Sequence, residues 1–260
     1  MKSVNGGKLL FKKNNIGWNN FVNLNNENNR ILFFGAHDFD IQVTSGAAIM
    51  ALNEMGFESS IINFTLGEKV VNEISSEKYI LVKKRDSEKS AELLNVKIKN
   101  LSYKDAELYY SNELVMEIID EIRALKPQVV VTHWKESMHK DHVVVYKVVS
   151  EAVFLSELNN IKTGYPAHKV NNILFTENWE DNYSFVPNVY VDTEKQMEKW
   201  ESAVSGYDFL NKSLSMFPYV DYYKSLARLR GIEAGFKYAQ CFRIDEDPKI
   251  RVFKDLISDF

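Results

Sequence analysis

The sequence predicts an α/β fold, a Rossmann-like and mostly parallel sheet with helices on both faces. Strand and helix signals alternate from residue 31 to about residue 195, as right-handed βαβ units require. The strand signals are short continuous apolar runs, which suits strands buried on both faces. At 260 residues, 45% hydrophobic and 26% charged, the chain can bury such a core without staples.

Residues 1–29 are rich in Asn, Lys and Gly, with short apolar pieces at LLF and IGWNNFVNL. They predict an N-terminal arm or edge hairpin ahead of a single domain over 30–260. RILFFGAH is a continuous apolar run ending near Gly35 and reads as a buried strand. Ala48, Ile49, Leu52 and Met55 then recur at helical spacing, with Thr44 or Ser45 as the expected cap and Gly56 as the stop. SSIINFTLGE is a strand, SEKSAELL a helix, and KNLSYKD a strand or turn. NELVMEIIDEIRALKP is an amphipathic helix stopped by Pro127, and QVVVTHW is another buried strand. DHVVVYKVVSEAVFL returns to helix, VNNILFTE and NVYVD are strands, and TEKQMEKWESAVSGYDFL and DYYKSLARLRGIEAGFKYA are helices.

Composition removes several functions. The formal net charge is −4, so there is no electrostatic case for nucleic acid. No apolar run reaches the ~18–20 residues of a membrane span, and the N-terminus lacks a signal-peptide core. The single cysteine, Cys241, forbids an internal disulfide and reads as a small buried hydrophobe beside Phe242. These features place the protein in the cytoplasm with a small-molecule partner, and leave a homo-oligomer open.

In open α/β sheets the site lies beyond the carboxyl ends of the strands. Two such ends carry chemistry. AHDFD follows the first strand of the domain with His37, Asp38 and Asp40, and THWKESMHKDH follows QVVV with His133, His139, Asp141 and His142. Three of the five histidines fall in that second loop. Imidazole and carboxylate are zinc ligands, and a catalytic zinc keeps three of them and one open position. Ordinary polar loop residues are the alternative. His133 and His168 read as hydrogen-bonding residues, and Lys83, Lys84 and Arg85 as a solvated basic run. The aromatic cluster over 207–223 reads as core and lid packing.

At these residues the sequence resembles the LmbE-like, or PIG-L-type, zinc-dependent N-deacetylases. AHDFDI stands where that family has Ala-His-Pro-Asp-Asp-Glu, and HKDH at 139–142 where it has His-Pro-Asp-His. RDSEKSAELLNV is similar to its Arg-x-x-Glu-x-x-x-Ala segment, and RGIEAGFKYAQCF to its closing segment. The resemblance implies His37, Asp40 and His142 as ligands of Zn2+, though another divalent transition metal fits the same set. It implies that His139 stabilises the intermediate or protonates the amine, supported by Asp141. Arg85 and Tyr238 would lie near the substrate.

One departure is chemical. The family's general base precedes the metal-binding Asp, and that position here is Phe39, which accepts no proton. Asp38 supplies a carboxylate one residue early, on what should be the opposite face of an extended segment. Three readings stay open: a hydrolase whose base has moved to Asp38 or His139, an enzyme of altered chemistry, or a silent member that binds a ligand. In the last, Phe39 facing the metal would make the pocket drier and could stack on a sugar or aromatic group. The leading expectation is zinc-dependent removal of an N-acyl group from a small amino-sugar-like or secondary-metabolite substrate.

Overall fold

The computed structural model describes residues 9–11, 29–70, 75–211 and 217–244. Apart from Leu9–Phe11 and Asn29, the expected arm at 1–29 lies outside these residues. The elements run β1 (Leu9–Phe11), β2 (Arg30–His37), α1 (Asp40–Glu54), β3 (Glu58–Thr65), α2 (Ser76–Leu94), β4 (Lys97–Tyr103), α3 (Asn112–Leu125) and β5 (Val129–Thr132). They continue with α4 (Lys140–Ser156), β6 (Asn172–Thr176), a 3-10 turn (Trp179–Asp181), β7 (Val189–Asp192), α5 (Met197–Ser205), α6 (Asp208–Asn211), α7 (Tyr219–Ala234) and β8 (Ala239–Arg243).

The strands form one sheet in the order β1-β7-β8-β6-β5-β2-β3-β4. From β6 to β4 it is parallel. β8, β7 and β1 extend it with antiparallel pairings. Alternate residues of β2 point to opposite faces. Ile31 and Phe33 pack in one core with α1, α5 and α7, whereas Leu32 and Phe34 pack in the other with α3 and α4. This is why β2 reads as an unbroken apolar run: both faces are covered. The chain moves outward from β2 through β3 to β4, then returns to β5 on the other side of β2. The strand order therefore reverses between β2 and β5, which opens a crevice beyond their carboxyl ends.

Local boundaries differ from the sequence expectation in several places: the last predicted helix stops at Ala234 and gives way to β8, the helix predicted over 193–210 divides into α5 and α6, and two differences lie at the crevice. α1 starts at Asp40 rather than after Thr44 or Ser45, which are both buried inside the helix. Its N-cap is Phe39, at φ 117°. That conformation costs a bulky L-residue about 1–3 kcal/mol. It bends the chain so that Asp40 Oδ2 returns to accept the His37 amide proton at 2.8 Å. α2 begins eleven residues before the predicted helix (Ser76 against Ser87). Its buried face is polar, with Lys83, Asp86, Ser87 and Ser90, so it carried little apolar periodicity.

Elsewhere a buried arginine fixes a loop. Arg123 on α3 is 1% exposed and donates to the carbonyls of Ser156, Leu158, Ile161 and Tyr165 and to Thr163 Oγ1. It thereby satisfies the free carbonyls at the end of α4 and the turn behind it. Cys241 is buried, as expected.

Candidate metal centre and active-site cavity

Three donor atoms meet at the crevice. His37 Nδ1 lies 3.2 Å from Asp40 Oδ2 and 3.3 Å from His142 Nε2, and the last two atoms are 3.4 Å apart. His37 ends β2, Asp40 opens α1 after the Phe39 bend, and His142 sits in the first turn of α4. A tetrahedral centre with bonds of about 2.05 Å has edges of about 3.3 Å. The triangle has those edges.

The surrounding carboxylates fix which nitrogen of each ring is free. His142 Nδ1 lies 2.8 Å from Asp181 Oδ1, so its proton sits there and Nε2 presents a lone pair. His37 Nε2 faces Asp105 Oδ1 at 3.3 Å and Asp141 Oδ2 at 3.5 Å, so Nδ1 is its lone-pair nitrogen. Two lone pairs and an anionic oxygen therefore converge, which suits a cation. The ionisation of the rings without a metal agrees. Burial opposes charge on His142, yet Asp181 and Asp40 raise its pKa to about 10. On His37 burial is likewise outweighed, chiefly by Asp40 and then by hydrogen bonds from Asp105 and Asp141. Asp40 itself is held well below the carboxylate range: burial alone would raise it, but His142 and His37 win.

Two members of the triangle, His37 and Asp40, line a cavity of about 350 Å3, which is the size of a small-molecule site; His142 is buried behind them. One side is apolar and aromatic, with Phe39, Trp179, Phe209 and Tyr219. The Phe39 ring meets Tyr207, Phe209 and Tyr219 edge-on at 4.9, 5.0 and 5.6 Å. His139, Asp105, Lys69 and Lys83 line the remainder. Gly67, at φ 66°, brings backbone against His37, where an added Cβ would stand 3.3 Å from His37 Cβ.

Residues 32–153 match the PIG-L family model, GlcNAc-PI de-N-acetylase. Over that stretch the chain is similar to the PIG-L family. Diacetylchitobiose deacetylase of Thermococcus kodakarensis is 27% identical to it over 84% of each chain. The solved N,N'-diacetylchitobiose deacetylase of Pyrococcus horikoshii is 25% identical over 84% of each chain, with a TM-score of 0.72. GalB, a 4-carboxy-2-hydroxymuconate hydratase from Pseudomonas putida, shares the fold at 18% identity and a TM-score of 0.75, covering 87% of this chain and 99% of its own.

Around the triangle the remaining expected site residues divide. His139 caps α4, stacks on His142 with centroids 4.9 Å apart, and meets His37 edge-on at 4.5 Å. Its Nδ1 accepts the Asp141 amide proton at 3.2 Å, so in the neutral ring Nε2 carries the hydrogen. Burial, then the charges on His37 and His142, push its pKa down to about 4. Asp141 hydrogen-bonds His139 only through that amide, and its carboxylate charge opposes the lowering of the His139 pKa; the carboxylate accepts from Ala106 N and faces His37.

Three expectations need correction. Asp38 is not turned to the triangle. Its Oδ1 accepts from Gln42, Asn63 and Ser87 at 2.6, 3.2 and 2.7 Å, and its Oδ2 lies 4.0 Å from Lys83 Nζ. Arg85 is on the exposed face of α2, bonded to Asp86, and is not part of the cavity wall. The basic residue of α2 that lines the cavity is Lys83, 2% exposed, which donates to Asp38 O at 2.9 Å and lies 5.0 Å from the Tyr207 and Phe209 rings. Lys83, Asp86 and Ser90, all buried, have the i, i+3, i+7 spacing of the family's Arg, Glu and Ala, two residues earlier than Arg85 suggested. Tyr238 lies outside the cavity, beneath Lys237; Tyr219 and Tyr223 of α7 line it instead.

Sequence reasoning missed Asp181, Glu180 and Asp105. Asp181 bridges two rings, accepting from His142 and, at 2.8 Å, from His133 Nδ1. His133 Nε2 in turn accepts the Ala36 amide proton at 3.0 Å, so His133 ties β5 to β2 as expected. Burial raises the pKa of Asp181, but His142 and His133 more than reverse this and hold it far below the carboxylate range. Glu180 Oε2 is 3.5 Å from His142 Nε2 and lines the cavity, and burial raises its pKa. Both residues follow β6 and Asp105 follows β4. Acids just beyond the ends of the parallel strands were the available signal.

Proposed function

We propose that this protein is a zinc-dependent N-deacetylase that hydrolyses the acetamide of a small, amino-sugar-like substrate. The observation that carries this reading is the convergence of His37 Nδ1, Asp40 Oδ2 and His142 Nε2 with both ring tautomers fixed from behind. The deacetylases among its relatives support the reaction class.

His37, Asp40 and His142 would hold the metal, with a cavity-facing position left open. When bound, zinc polarises the acyl carbonyl and acidifies water. His139 does the rest of the polar work on the acyl group. Its Nε2–H is free because Nδ1 is occupied by the Asp141 amide. It donates to the oxygen that gains charge as the carbonyl is attacked, and remains a neutral hydrogen-bond donor throughout. The aromatic side formed by Phe39, Trp179, Phe209 and Tyr219 stacks on the ring face of a sugar and excludes water. Lys83 and Asp38 brace the β2–α1 bend from below, a positioning role for Asp38.

The test is zinc content with acetate release from N-acetylglucosamine, N,N'-diacetylchitobiose and simple N-acetyl amines. About one zinc per chain, lost in His142→Ala together with acetate release, is the expected result. A wild-type protein that takes up zinc yet releases no acetate from any of them overturns the deacetylase reading.

A further inference from the structure

We propose that Glu180 is the catalytic base of this enzyme and replaces the carboxylate missing at position 39. This deepens the N-deacetylase reading and rests on it.

Four carboxylates line the cavity: Asp38, Asp40, Asp105 and Glu180. Three are committed. Asp40 belongs to the donor triangle. Asp38 takes three hydrogen bonds on Oδ1 beside Lys83. Asp105 accepts the Lys69 amide proton on Oδ2 at 3.0 Å and faces His37 through Oδ1. Glu180 alone approaches the triangle without a hydrogen-bond donor of its own among the described residues. Its Oε2 stands 3.5 Å from His142 Nε2, and its side chain is 19% exposed.

Its position is built rather than accidental. The backbone of the 3-10 turn is anchored from both sides, with Glu180 N donating to Asn178 Oδ1 at 3.1 Å and Glu180 O accepting from Met138 N at 3.0 Å. The next residue, Asp181, is pinned between His133 and His142. The turn thus delivers one carboxylate behind His142 and the other in front of it. The open position must face the cavity, because Asp181 backs His142 and Asp105 and Asp141 back His37. Glu180 is on that cavity side. Phe39 leaves it room, because its ring is drawn into contact with Tyr207, Phe209 and Tyr219.

The step balances simply. Glu180 takes one proton from the attacking water as its oxygen bonds to the acyl carbon and the carbonyl π pair moves to oxygen. On collapse the C–N bond breaks as the nitrogen takes the proton that Glu180 holds, His139 Nε2–H stays on the oxygen, and acetate and amine result with Glu180 again a carboxylate.

The experiment compares zinc-loaded wild type with Glu180→Gln, which keeps shape and removes basicity. Three quantities are measured: zinc per chain, the dissociation constant of acetohydroxamate, and kcat and KM on a substrate that yields acetate. Acetohydroxamic acid sheds a proton on chelation, and that proton needs an acceptor. Expected are equal zinc content, acetohydroxamate binding weaker by at least about tenfold through loss of one charge-assisted bond, and kcat lower by about 10²–10⁴-fold with little change in KM. Loss of zinc in Glu180→Gln would make Glu180 a ligand and overturn the proposal. Unchanged acetohydroxamate affinity would overturn it as well. If wild type releases no acetate, the deacetylase reading fails by itself, and the acetohydroxamate comparison still decides whether Glu180 accepts the proton.

Discussion

Asp181→Asn isolates the contribution of a residue that never touches the ligand position. Both histidines must donate to Asp181. His133 keeps Nε2 for the Ala36 amide, so its proton is on Nδ1; on the proposed reading His142 would offer Nε2 to the metal, which puts its proton on Nδ1 too. Each Nδ1 is 2.8 Å from a different carboxylate oxygen. Asparagine supplies one acceptor oxygen and one NH2 group. One histidine therefore meets a donor with its own donor. One charge-assisted bond is lost, worth about 1.5–3 kcal/mol. If the NH2 faces His142, the ring rotates or changes tautomer and the metal loses a ligand aligned for it. Removing such an outer partner typically weakens metal affinity about 10–100-fold, or about 1.4–2.7 kcal/mol. The assay is zinc competition against a chromophoric chelator, with thermal melting of the metal-free protein as a folding control. A zinc affinity within about twofold of wild type, in a protein that melts normally, would refute the tautomer argument.

Three further expectations follow from the same contacts. Lys83→Met leaves Asp38 buried without its cation and should destabilise by about 3 kcal/mol, the low end because Gln42, Asn63 and Ser87 still bond Asp38; adding Asp38→Asn should recover at least about 1 kcal/mol in a double-mutant cycle followed by urea unfolding. Arg123→Lys replaces a planar donor serving four carbonyls with a point charge, and should cost about 2–4 kcal/mol in the same assay. In metal-free protein the His142 pKa is raised to about 10 because Asp181 and Asp40 outweigh burial. A raised folded pKa contributes stability that is complete below the unfolded value near 6.5 and is lost as pH climbs through 10. The melting temperature of chelated protein should therefore fall between pH 7 and 10, while zinc-loaded protein, whose Nε2 is occupied, should fall much less.

The alternation of apolar runs with helical segments was enough to read the parallel sheet, because β2, β3 and β5 are buried on both faces and their residues had no polar alternation to confuse the period. The strand-end rule then found His37, Asp40, His139 and His142. It was applied to two strand ends only, and β4 and β6 carry Asp105, Glu180 and Asp181. Lys83 was illegible for another reason: a lysine in a basic run is ordinarily solvated, and nothing local says that Asp38, forty-five positions earlier, awaits it. Arg85 was assigned in its place because a motif matched by residue identity slid two positions from the match by burial. Asp38 as a base was a distance judgement, and Gln42, Asn63 and Ser87 decide that distance from three separate elements.

The bend at Phe39 separates two tasks. Its backbone, at φ 117°, is what returns Asp40 to His37, and its side chain takes no part in that. On the proposed reading, holding an ion would be vested in backbone shape and in the opening of α4, and handling protons in the side chains that the neighbouring loops bring forward. A lineage can exchange the second without rebuilding the first. The same modularity suits an engineer, who could regraft the short turn at 178–181 and ask for new chemistry while leaving the ion's seat intact.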